Sequence, residues 1–95
     1  MAASEVASFI LSACPSIADF ELYMFGSSLR GVGEDIDILV VGPSGDTLAQ
    51  LKKELGRAGE ELPLHILHML PSEAAETCFV GNEGCVALLE LAGQK

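Results

Sequence analysis

With 95 residues, the chain has room for one compact domain over 1–95 and little more. Apolar residues make up 49% of it, so a core can form without disulfides or structural metal, but aromatics are only 5% and aliphatic packing must carry that core. A formal charge of −9 and a pI near 4.3 exclude broad binding to DNA or RNA, because no Lys/Arg cluster is present to meet a phosphate backbone.

In chain order, Ser4 is positioned to cap a first helix running to about Cys14, with Val6, Phe9, Ile10 and Ala13 as its apolar stripe and Pro15 as its stop. Glu21–Phe25 reads as a short strand that runs into the turn Gly26-Ser27-Ser28, followed by a short helical segment around Leu29 and Arg30. Gly31 and Gly33 interrupt that segment, and Asp35–Gly42 is the strongest strand signal, β-branched and closed by Gly-Pro. Ser44 or Asp46 is expected to cap a second helix with Leu48, Leu51, Leu55 and Ala58 on one face and Gly59 at its end. Leu62–Leu70 is a third strand. Ser72 with Glu73–Glu76 starts a last helix after Pro71, and Cys85–Ala92 reads equally as an edge strand or a helix. The order α-β-α-β-α-β-α predicts a two-layer α/β fold, a small mixed sheet packed by helices.

Cys14, Cys78 and Cys85 form no CxxC pair and no zinc spacing, which reads as reduced thiols. Without a basic leader or an apolar run of transmembrane length, the chain is read as cytoplasmic, with no membrane contact.

The chemistry concentrates in Met24–Val41. Gly26, lacking a Cβ, permits a tight turn and close approach of a phosphate. Ser27 and Ser28 open a helical turn whose N–H groups and hydroxyls can hold one. Asp35 and Asp37, two apart on a strand, leave the same face of the sheet, while Ile36, Ile38 and Val40 point into the core. Two such carboxylates repel each other unless a cation lies between them, and Mg²⁺ suits the need because it bridges carboxylates to triphosphate oxygens. Arg30 is placed either to meet a phosphate or to pair with Glu34. A phosphatase built on D-x-D leaves the upstream Gly-Ser turn without a purpose.

The combination of Phe25-Gly26-Ser27, a step of nine residues from Gly26 to Asp35, and the strand pair Asp35-Ile36-Asp37 resembles the minimal nucleotidyltransferases of the DNA polymerase β-like superfamily. Arg30-Gly31 matches the R-G pair common in that branch. The resemblance implies that Gly26, Ser27, Ser28 and Arg30 hold the phosphates of ATP, and that Asp35 and Asp37 ligate Mg²⁺, with Mn²⁺ as the alternative ion. It also implies a third carboxylate on a later strand, where this chain has Leu64-His65-Ile66-Leu67-His68. His65 is the stand-in, either as general base or as a plain strand histidine at a sheet edge, whereas His68 falls on the opposite face. Larger members add a helical domain that grips the base and acceptor. Here a second chain must supply that half of the site, either a further copy or the helical HEPN-type protein beside which minimal members are often encoded as antitoxins. The transfer of AMP to a hydroxyl is the expected activity. A nucleotide-binding or regulatory module without transfer chemistry is the other expectation.

Overall fold

A computed structural model describes residues 3–26 and 35–93. Helix α1 (Ala3–Ala13) leads through a 3-10 helix (Pro15–Asp19) to β1 (Glu21–Phe25). Strand β2 (Ile36–Val41), α2 (Asp46–Ala58) and β3 (Leu64–Met69) follow as one crossover unit. The chain closes with α3 (Pro71–Thr77), α4 (Phe79–Asn82), the two-residue strand β4 (Val86–Ala87) and α5 (Leu88–Gly93). The sheet order is β3-β2-β1-β4, with β2 parallel to β3 and both other pairings antiparallel, so the expected small mixed sheet packed by helices is observed.

One sheet face makes the core. Leu22 and Met24 of β1 and Ile38 and Val40 of β2 meet Val6, Ala7 and Ile10 of α1, Leu48, Leu51 and Leu55 of α2, and Leu88 and Leu91 of α5. The helical stripe expected from Val6, Phe9, Ile10 and Ala13 faces this core, with Phe9 and Ala13 at its margin. Glu54 is buried as well, and it is satisfied: its carboxylate accepts from Ser16 N–H (3.0 Å), Ser16 Oγ (2.7 Å) and Gln50 Nε2 (3.0 Å). These bonds hold its pKa below the ordinary carboxylate value and pin the 3-10 helix to α2.

Several local expectations need correction. Ser4 lies inside α1 rather than at its cap. Neither Ser44 nor Asp46 caps α2. Gly45 does so at φ 96°, a conformation glycine adopts without the Cβ penalty, and Asp46 instead sits in the first turn. The helix after β3 begins at Pro71, not Ser72, and Glu73 accepts a hydrogen bond from Leu70 N–H at 2.9 Å. That helix is not the last, since α4 and α5 follow it. Cys85–Ala92 is both things it resembled, a two-residue strand and then a helix. The segment around Leu29 lies outside the described residues. No helix among the described residues is long and apolar enough to cross a membrane.

Candidate functional site

Side-chain alternation sets the site. Because Ile38 and Val40 face the core, Asp37, Leu39 and Val41 turn to the other face of the sheet. Cross-strand register puts Phe25 on one side of Asp37 and His65 on the other. Asp37 is therefore central in the sheet, with its side chain 29% exposed, while His65 on the outer strand is 79% exposed. The His65 Nδ1 atom lies 3.5 Å from Asp37 Oδ1.

Gly26 follows β1 at φ 75°. A Cβ built there would lie 2.6 Å from Asp37 Oδ2, so the turn packs directly on the carboxylate. The left-handed conformation favours glycine here, and any side chain would also push the Asp37 carboxylate aside. Asp35 lies one residue ahead of β2, in a bend, and is exposed. The strand thus starts at Ile36 rather than Asp35, with Asp35 at the residue just ahead of it. Ser27, Ser28 and Arg30 lie outside the described residues.

Asp37, His65, Phe25, Ile66 and Leu67 line an open cleft of about 290 Å³. Phe25 is braced by Phe79 of α4, ring centroids 5.2 Å apart and planes at 89°, an edge-to-face contact. Sequence reasoning missed this brace and the Ile66–Leu67 wall. The wall follows once β3 is set parallel to β2 in register, but Phe79 reaches Phe25 only through the tertiary fold. His68 stands on the α2 side as expected, its Nε2 3.0 Å from Gly42 O, and takes no part in the cleft.

The donor set suits a magnesium-bound triphosphate, for which one or two carboxylates suffice when phosphate oxygens and water complete the shell. Asp35 and Asp37 are the residues that would hold such an ion. Among the described residues no group of three or more His, Cys, Asp or Glu is placed to hold a metal, so β3 adds no third carboxylate.

The family model described as "Nucleotidyltransferase domain" matches residues 5–78, from α1 past Gly26 and Asp37 to the end of α3. No curated protein and no solved structure matches the chain.

Proposed function

The chain belongs to the nucleotidyltransferase domain family, and on that premise we propose that it binds Mg-ATP over Gly26, Asp35 and Asp37 and transfers AMP to a hydroxyl group. The observation that carries this reading is the Gly26 turn, held at positive φ and packed on the Asp37 carboxylate. A backbone without a Cβ at Gly26 would let a phosphate approach beside Asp37, and Asp35 and Asp37 would hold the divalent ion that offsets its charge. A divalent ion held there neutralises phosphate charge and sharpens the electrophile.

In the transfer, the acceptor oxygen bonds to the α-phosphorus and the bond from that phosphorus to the α–β bridging oxygen breaks. Pyrophosphate leaves with the bond's electron pair. The hydroxyl proton goes to His65. With a proton on Nδ1 facing Asp37, Nε2 is the nitrogen that accepts it. Phe25, Ile66 and Leu67 line the cleft beside Asp37 and His65.

The proposed acceptor is a hydroxyl on a protein or a small molecule, and the resemblance to minimal nucleotidyltransferases supports a helical HEPN-type partner, with this chain as its antitoxin. The setting is cytoplasmic, where ATP is abundant and Cys14, Cys78 and Cys85 stay unpaired. A second reading, a nucleotide-binding module without turnover, is favoured by one observation: the residue beside Asp37 on β3 is His65, not a carboxylate.

Incubation of the chain and its neighbouring gene product with ATP labelled at the α-phosphate separates the two. Label on the partner that is lost in Asp37→Asn supports transfer. ATP bound without label transfer under Mg²⁺ or Mn²⁺ supports the module.

A further inference from the structure

Strand β3 ends the described sheet, and its outer edge has no neighbour among the described residues. Native edge strands are blunted by charge, proline or a bulge. Leu64–Met69 has no proline, and residues 62–72 hold no Asp, Glu, Lys or Arg in a chain with 14 acidic residues. Ile66 (37%), Leu67 (39%) and Leu70 are exposed along it.

The backbone states which groups it offers. Ile36 N–H donates to Pro63 O (2.9 Å) and Gly42 N–H to Met69 O (3.1 Å), which marks the odd-numbered residues of this stretch as those bonded to β2. Leu64, Ile66 and His68 therefore direct their backbone groups outward. The Leu64 N–H is already taken by Leu62 O, so the free edge presents the Leu64 carbonyl and both groups of Ile66 and His68. Pro63 and Pro71 bound the strand at each end.

We propose that this edge pairs antiparallel with the β3 edge of a second copy of the chain, centred on Ile66, to give one continuous sheet. Ile66 then exchanges two hydrogen bonds with its own counterpart, and each His68 N–H donates to the Leu64 carbonyl opposite. Strand lengths match because the copies are identical.

Charge selects this occupant. Helix α2 returns antiparallel to β3, since it joins two parallel strands. A shallow groove of about 270 Å³ runs beside the edge between Lys52, Gly56 and Gly59 of that helix region and Ile66 and His68 of β3. Lys52 stands about 10 Å along the helix from Gly59, at 1.5 Å per residue. Leu64 to His68 spans about 13 Å of strand. The register that sets Leu64 against His68 of the other copy thus sets Glu60 and Glu61 level with Lys52 of the other copy, twice by symmetry. Each copy carries a formal charge of −9, and these two complementary contacts offset part of the mutual repulsion.

The pairing also completes the cleft: in this register Leu67 of the second copy faces His65, on the side of the sheet that carries Asp37.

Light scattering on a size-exclusion column reads it directly. Wild type is expected at twice the 10.0 kDa chain mass. Ile66→Lys puts two cations opposite each other and is expected to weaken the dimer by about tenfold or more, with an unchanged circular dichroism spectrum. Lys52→Glu and the pair Glu60→Lys/Glu61→Lys should each weaken self-association, and mixing the two proteins should restore a dimer of one chain of each kind. That exchange decides the matter even if Ile66→Lys fails to fold. A wild-type monomer at about 100 μM, or a dimer indifferent to all these changes, overturns the proposal.

Discussion

Asp37 and His65 stand side by side on parallel strands, carboxylate Oδ1 to imidazole Nδ1 at 3.5 Å. If His65 serves as proton acceptor, its loss should spare binding and slow chemistry. His65→Ala is expected to leave Mg-ATP affinity within about twofold and to lower the transfer rate by roughly 10²–10⁴-fold. Rapid-quench measurement of label transfer beside calorimetric titration checks both halves. Transfer at the wild-type rate would remove His65 from the reaction.

Gly26→Val places a β-branched side chain at φ 75° with its Cβ 2.6 Å from Asp37 Oδ2. The carboxylate must move and the turn must strain. Stability is expected to fall by about 1–3 kcal/mol in urea unfolding, with Mg-ATP binding lost in the folded protein. A folded variant that still binds Mg-ATP would make the turn purely architectural.

Glu54 gives the fold an acid-sensitive joint. Its folded pKa is held below the ordinary 4.5 by hydrogen bonds from Ser16 and Gln50. A depressed carboxylate pKa means the folded state binds its proton less tightly than the unfolded state. The contribution is therefore present above pH 4.5 and lost as pH falls through the lower folded value. Melting temperature followed from pH 7 to pH 3 should drop below pH 4.5, and Glu54→Gln should flatten part of that drop. An identical profile in the variant would show that other carboxylates govern acid unfolding.

The three thiols should differ in reactivity. Cys14 is fully buried, and burial together with the Glu54 charge raises its pKa to about 11. Cys78 is exposed. Because the thiolate is the reacting species, a maleimide at pH 8 should label Cys78 in the native protein and Cys14 only after denaturation. Mass spectrometry of the labelled peptides checks this, and early labelling of Cys14 would contradict its place in the core.

The central elements were legible because each carries a local signal. Leu48, Leu51 and Leu55 repeat at helical spacing, and alternation along Ile36–Val41 marks a strand with a core face. What was not legible depends on distant partners. The 3-10 helix at Pro15–Asp19 is tied down by Glu54, far along the chain. Strand β4 exists because Val86 and Ala87 meet Met24 and Tyr23, which no local pattern in Cys85–Ala92 reveals. At the site, the Gly26 turn and Asp37 were readable from residue type and spacing. The start of β2 one residue later, leaving Asp35 in a bend, was not, since Asp35 has the same alternation as Asp37 in sequence.

Gly26, Asp35 and Asp37 are proposed to form one metal-nucleotide site. Isothermal titration of Mg-ATP into wild type and into Asp35→Asn/Asp37→Asn tests it without knowledge of the acceptor. Saturable binding by wild type is expected, with a loss of about tenfold or more in the variant and loss of wild-type binding when EDTA removes the metal. Equal affinity in both proteins, or binding indifferent to metal, would contradict it.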